Sequence, residues 1–263
     1  MGNFAYRHVT ATANTATSHI IEHHASEISP ELPVEGLTLP VLSREHNQVT
    51  LAIISDTHAQ HDRLQLPERA DILIHCGDIG RHRTSRRDTQ LFNEWLGTLK
   101  ERFPYRVVVG GNHDFGLTKK KLTNATHYLC DTTETICGLR VHGAPWTPVR
   151  SYLKCRAQAF TLNRRRIQKH FQLVPRDGLD ILITHGPPLF VLDEDGGGCP
   201  DLAECVVAVK PRLHLFGHKH RTRGAIKCEW NNGSSTLFVN AASVSGKGRR
   251  GDPMHPVVTI PIN

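Results

Sequence analysis

From Val49 onward, short apolar runs rich in β-branched residues alternate with longer polar or mixed stretches: VTLAIIS, DILIHC, YRVVVG, LDILIT, RLHLF, TLFVN and VVTIPI. Runs that are apolar at nearly every position, rather than at every second one, predict strands covered on both faces. Between the second and third runs, Leu91, Phe92, Trp95, Leu96 and Leu99 recur at helical spacing and predict an amphipathic helix after Asp88. Phe160, Ile167 and Phe171 predict a second helix over Ala157 to Leu173, stopped by Pro175. Strands alternating with helices indicate an α/β protein whose sheets carry helices on their outer faces. Residues 1–46 sustain neither period, and Pro30, Pro33 and Pro40 exclude a long helix there. The expected organisation is a poorly structured N-terminal arm over residues 1–46 and one catalytic domain over residues 47–263. The opening of the arm, to about residue 30, lacks the apolar pattern that offsets ordering entropy and is expected to be mobile and dispensable.

The ends of the apolar runs carry the chemistry. LAIIS opens into Asp56-Thr57-His58, DILIHC into Gly77-Asp78, and VVVG into Gly111-Asn112-His113-Asp114; LDILIT opens into His185-Gly186 and HLF into Gly217-His218-Lys219-His220. In an α/β sheet, residues just past the strand ends converge in one crevice, so these groups are expected to form one site. Each fragment alone is a common turn; the succession, each after an apolar strand, is not. Gly77, Gly110, Gly111, Gly186 and Gly217 allow the sharp turns that aim such side chains outward. Carboxylate and amide oxygens mixed with imidazole nitrogens suit Mn, Fe, Zn or Ni rather than calcium. No group contains cysteine, which argues against a structural zinc site.

The totals sharpen this picture. The chain has 18 histidines, a count that raises the prior for metal or acid–base chemistry. Its net charge of +7 favours anionic partners. The basic clusters Arg81 to Arg87, Lys119 to Lys121, Arg164 to Arg166 and Lys247 to Arg250 are scattered, which reads as solvated faces more readily than as a nucleic-acid groove. Seven cysteines without a C-x-x-C pair suit a reduced compartment. There is no basic-then-apolar opening and no apolar run near the roughly 18 residues of a membrane span, so a cytoplasmic protein without a membrane partner is expected.

In their order, DTH, GD, GNHD, THG and GHKH resemble the signature blocks of the calcineurin-like metallophosphoesterase superfamily. FNEWLG, GAPWTP, ITHGPP and VNAASV look like its subgroup of metallophosphoesterase-domain-containing proteins, so the resemblance spans residues 49–262. It implies a four-layer α-β-β-α sandwich of two mixed sheets flanked by helices, with a dinuclear centre at the strand ends. Carried over by position, one divalent transition metal ion takes Asp56, His58, Asp78 and His220, the other Asp78, Asn112, His185 and His218, with Asp78 as bridge. Two such cations make hydroxide from a bound water at neutral pH for attack on phosphorus. His113, beside a ligand without being one, is the candidate proton donor to the leaving oxygen, with Asp114 accepting its other N–H; the competing reading of His113 is a structural histidine. The expected substrate is a small phosphodiester, with nucleotides and cyclic nucleotides as candidates. A phosphomonoesterase, a metal-binding scaffold with little turnover, and a nuclease are the alternatives.

Other features are open to two readings. Arg81 and Arg83 follow Asp78 and either face substrate phosphate or are solvated; Trp146 either lines the cleft, where it stacks a base, or packs. Gly196 to Gly198 read as a flexible turn near the mouth, and Cys199 and Cys205 as buried small residues rather than nucleophiles.

Overall fold

The structure, a computed structural model, describes residues 25–28 (as backbone), 48–149, 159–194, 196–246 and 248–262. In chain order its elements are β1 (Ala25–Ile28), β2 (Val49–Ile54), β3 (Ile72–His75), α1 (Arg86–Thr98), β4 (Tyr105–Val109), β5 (His127–Leu129), β6 (Thr132–Ile136), β7 (Leu139–Ala144), β8 (Thr147–Pro148) and β9 (Thr161–Leu162). They continue with α2 (Arg164–Phe171), β10 (Ile181–Thr184), α3 (Pro200–Val209), β11 (Leu213–Phe216), β12 (Gly224–Trp230), β13 (Ser235–Asn240) and β14 (Val258–Ile262). A five-stranded sheet runs β14-β2-β3-β4-β5, a seven-stranded sheet runs β1-β12-β13-β11-β10-β7-β6, and β8 pairs with β9. β2, β3, β4 and β5 are mutually parallel, as are β7, β10, β11 and β13, while β14, β12, β1 and β6 join antiparallel at or near the edges.

Three apolar clusters define the layers. Leu51, Ile53, Ile72, Ile74, Val107 and Val109 of the smaller sheet interleave with Val141, Ile181, Ile183, Leu213, Leu215, Leu237 and Val239 of the larger, so the sheets pack face to face. Ala52, Ile54, Leu73 and Val108 point the other way, against Phe92, Leu96 and Leu99 at α1. On the far side Leu182, Phe216 and Phe238 meet Ile167 and Phe171 of α2 and Leu202, Val206 and Val209 of α3. This is the expected four-layer sandwich, and its doubly covered strands explain the unbroken apolar runs.

The helix ends are set by local chemistry. α1 starts at Arg86, before Asp88, because Ser85 Oγ accepts from Asp88 N–H while the Asp88 carboxylate accepts from Ser85 N–H, a reciprocal cap. α2 is shorter than the predicted 157–173: Thr161 and Leu162 form β9, and the Asn163 side chain accepts from Arg166 N–H and caps the helix there. Residues 150–158 lie outside the described residues. The expectation of a poorly structured arm over 1–46 requires a correction at residues 25–28. β1 extends the larger sheet, with Ala25 opposite Trp230 and Ile28 opposite Cys228; a short polar segment gives no periodic signal when its partner is about two hundred residues away along the chain. The rest of the arm, to residue 47, lies outside the described residues. No helix among the described residues is long and apolar enough to cross a membrane.

Candidate metal centre

The five groups predicted from sequence sit at the C-terminal ends of β2, β3 and β4, neighbours in one sheet, and of β10 and β11, neighbours in the other. Backbone bonds stitch these ends together. Asp56 N–H donates to Gly77 O at 2.9 Å, His58 N–H to Asp78 O at 3.1 Å, and Gly217 N–H to His185 O at 2.9 Å. Across the sheets, His218 N–H donates to Asp56 Oδ2 at 2.8 Å. The turns are tight enough that Asp56, His58, Ala59, Asp78 and His218 all take left-handed φ, between 44° and 67°. Each such residue costs about 1 kcal/mol or more, a strain that surrounding structure must over-determine. Gly217 shows how close the approach is: a Cβ there would lie 2.0 Å from Asp56 Oδ2.

The ring nitrogens are oriented by carbonyls, which can only accept. His58 Nδ1 lies 3.1 Å from Gly80 O, His185 Nδ1 2.9 Å from Cys76 O, and His220 Nδ1 2.8 Å from Gly246 O. In all three rings Nδ1 therefore carries a proton and Nε2 faces inward, the arrangement by which a backbone acceptor fixes a metal-ligating imidazole. His220 Nε2 is 3.2 Å from Asp56 Oδ1 and 3.3 Å from His58 Nε2; His185 Nε2 is 3.4 Å from Asp78 Oδ2. Asn112 Oδ1 meets His185 Nε2 at 2.9 Å and His218 Nδ1 at 2.8 Å. All seven predicted ligands thus converge. Asp78 is common to the groups His58–Asp78–His113 and Asp56–Asp78–His185, each with its ligand atoms within 4.8 Å of one another, and Asp56, His58 and His220 form a third.

The electrostatics favour cations between these groups. Burial works to raise the Asp56 carboxyl, but the hydrogen bond and charge of His220, with His185 and His58, hold it well below the usual range; Asp78 is likewise lowered, against burial, chiefly by His185. Burial opposes protonation of His185 and His220, yet Asp78 lifts the first to about 10, and Asp56 lifts the second to about 9. A field that draws a proton onto these inward nitrogens draws a divalent cation to the same place. The inward Nε2 atoms of His58 and His220, 3.3 Å apart, and the Asn112 oxygen held between two rings fit a metal site on the same grounds.

The calcineurin-like phosphoesterase superfamily domain model matches residues 49–260, a span that contains every residue of this site. The chain belongs to that superfamily. Metallophosphoesterase domain-containing protein 1 of Homo sapiens is 32% identical to this phosphoesterase over 243 residues, 79% of this chain and 69% of the relative. UPF0046 protein K07C11.7 of Caenorhabditis elegans is 32% identical over 254 residues, 87% of this chain and 78% of the relative. The solved structure of TT1561 from Thermus thermophilus superposes with a TM-score of 0.52 at 16% identity, covering 73% of this chain and 89% of that one, a likeness of fold.

Within the phosphoesterase site, His113 is close to the predicted ligands without being held by Asp114. Its N–H donates to Asp78 Oδ1 at 2.8 Å and its Nε2 lies 3.6 Å from Asp78 Oδ2, while Nδ1 is buried and meets no hydrogen-bond partner among the described residues. The expected Asp114–His113 bond is absent because the Asp114 carboxylate is occupied. It accepts from Asp78 N–H at 2.8 Å, Gly111 N–H at 2.8 Å, Thr84 Oγ1–H at 2.9 Å and Ile79 N–H at 3.1 Å, so it fixes the Asp78 turn instead. Burial and the Asp78 charge push this carboxyl up to about 7 against those donors. Trp146 is a tied packing residue: its Nε1–H donates to the Asp131 carboxylate at 2.8 Å, and its ring lies 4.1 Å from that of His170. Arg81 and Arg83 are exposed, with Arg83 over Phe115. Cys199 and Cys205 are buried, and burial pushes both thiols up to about 12, which removes them as nucleophiles. Sequence reading missed the orienting carbonyls of Gly80, Cys76 and Gly246, since any residue supplies a carbonyl.

Proposed function

We propose that this phosphoesterase hydrolyses a phosphodiester, nucleotides and cyclic nucleotides among the candidates, with two divalent transition ions as cofactors. One ion takes Asp56, His58, Asp78 and His220, the other Asp78, Asn112, His185 and His218. The observation that carries the reading is the inward convergence of His58, His185 and His220 Nε2 on Asp56 and Asp78, each proton being parked on Nδ1 by a backbone carbonyl. When bound, two such ions bind a phosphoryl oxygen and acidify a water for in-line attack.

The remaining tasks fall to the chain. Asp114 keeps the Asp78 turn in its left-handed form, and Asp56 and Asp78 supply the charge that retains the ions. His113 Nε2, beside Asp78 and partly exposed, stands where it can pass a proton to the departing oxygen. Exposed Arg81, Arg83, Arg249 and Arg250 lie on the two loops that touch His58, one through Gly80 O and the other through Gly248, and they favour an anionic substrate. The diester preference rests on the subgroup resemblance, so a phosphomonoesterase is the alternative, followed by a scaffold with little turnover. The described cysteines are unpaired, which supports a reduced, cytoplasmic setting.

The test is a turnover panel on purified protein with added Mn²⁺, comparing an aryl diester, an aryl monoester, cyclic nucleotides and single-stranded RNA. Diester and cyclic-nucleotide turnover that is lost together with bound metal in Asp78→Asn is the expected result. Monoester turnover alone moves the assignment to the alternative, and no turnover with metal bound leaves the scaffold.

A further inference from the structure

Under the two halves of the site lie two buried histidines that are not ligands, and both make the same connection. His75 ends β3 and meets Phe92 edge-on, with ring centroids 5.1 Å apart. Gly77 N–H donates to His75 Nδ1 at 3.1 Å, so the proton of the neutral ring sits on Nε2. That Nε2–H donates to Thr57 Oγ1 at 3.0 Å, and the Thr57 hydroxyl donates onward to Ile79 O at 3.3 Å. Thr57 stands between ligands Asp56 and His58, and Ile79 follows ligand Asp78.

His214 on β11 repeats the pattern in the other sheet, with its ring 5.1 Å from Phe216 and 5.6 Å from Phe238. Thr184 Oγ1–H donates to Gly186 O at 2.8 Å. A hydroxyl has one hydrogen, so the 2.9 Å contact between Thr184 Oγ1 and His214 Nε2 is donated by the ring. Thr184 and Gly186 flank ligand His185. We infer that His75 and His214 are positioning residues of the metal centre, each a fixed Nε2–H donor that locks a threonine hydroxyl onto a backbone carbonyl of the loop presenting the ligands. The inference rests on the two-metal reading of the site.

The need for such a lock follows from the backbone. Asp56, His58 and Asp78 are held in left-handed turns that relax unless their surroundings specify them. A threonine hydroxyl alone rotates among staggered positions. With a ring donor on one side and a buried carbonyl on the other, both its hydrogen and its lone pair are assigned, and the loop is tied to a strand of the rigid core. The His75 ring ties two loops at once, since its Nδ1 also accepts from Gly77 N–H next to Asp78.

The experiment compares Thr57→Val and Thr184→Val, which delete the hydroxyl at nearly constant volume, with Thr57→Ser and Thr184→Ser, which keep it. Mn²⁺ affinity is measured by competition with a fluorescent chelator, and folding by circular dichroism. The valine variants are expected to bind Mn²⁺ about tenfold or more weakly than the parent, the scale of loss when support behind a ligand is removed, and the serine variants to stay near it. His214→Gln, which retains a donor, and His214→Phe, which fits beside Phe216 and Phe238 without one, give the same comparison should a valine variant fail to fold. A parent that binds Mn²⁺ with valine and serine variants equal to each other overturns the positioning role alone. A parent that binds no Mn²⁺ overturns the two-metal reading and this inference with it.

Discussion

Asp114→Ala asks whether the carboxylate next to His113 serves proton transfer or the shape of the Asp78 turn. In the structure it accepts four hydrogen bonds of 2.8 to 3.1 Å, three from backbone N–H groups of Asp78, Gly111 and Ile79 and one from Thr84. Alanine leaves the three buried backbone donors unpaired at about 1–3 kcal/mol each, so a loss of roughly 3–9 kcal/mol is expected, a large part of an ordinary domain's stability. Asparagine should cost less. Its oxygen can keep the Asp78 and Gly111 amides while its NH₂ donates to a rotated Thr84 hydroxyl, which strands the Ile79 N–H and the more distant Gly80 N–H and costs about 1–3 kcal/mol. Urea unfolding of both variants in chelator, at pH 7.5 and with constant m-values, measures these losses free of metal linkage. If Asp114→Ala unfolds within about 1 kcal/mol of the parent while the pH profile of turnover moves, the carboxylate acts on His113 and the structural argument fails.

Other consequences follow from the same geometry. His113→Ala is expected to keep bound metal and lose about 10²- to 10⁴-fold in rate on esters with poor leaving groups, with a smaller loss on an activated aryl ester; equal losses on both remove it from the proton-donor role. Removing residues 1–28 strips β1 from the edge of β12 and is expected to promote association visible by light scattering, whereas removal of residues 1–24 is not; identical behaviour would mean β1 protects nothing. Burial holds His75 and His214 down to about 3 and His142 to about 4, against 6.5 when unfolded. The unfolded chain therefore takes up protons first as pH falls through 6.5, and each ring removes about 1.4 kcal/mol of stability by pH 5.5, a decline that ends only near pH 3–4. Because His185, His220 and Asp114 shift the balance the other way over the same range, the test is differential: in chelator His214→Phe should lose about 1.4 kcal/mol less than the parent between pH 7.5 and 5.5, and an unchanged pH dependence would contradict that assignment.

Much of this architecture was legible because strands covered on both faces leave nearly unbroken apolar runs, and because β2, β3, β4, β10 and β11 open directly into Asp, Asn, His and Gly. Less legible were β6, whose TTETI is mostly exposed, and α3, whose DLAECVVAV is buried along most of its length and gives no amphipathic stripe. β1 depends on a non-local partner that no window of sequence contains. Asp114 stands out in the sequence beside His113, yet its partners are mostly backbone amides, which every residue carries and no pattern marks. His75 and His214 read as ordinary core positions within strands; only their threonine and carbonyl partners set them apart.

The central claim is that Asp78 bridges two metal ions, and anomalous diffraction from crystals grown with Mn²⁺ tests it most directly. Two peaks about 3.5–4 Å apart are expected on either side of Asp78, one within reach of Asp56, His58 and His220 and the other of Asn112, His185 and His218. A single peak, or a site from which His185 or His218 has turned away, would contradict the account.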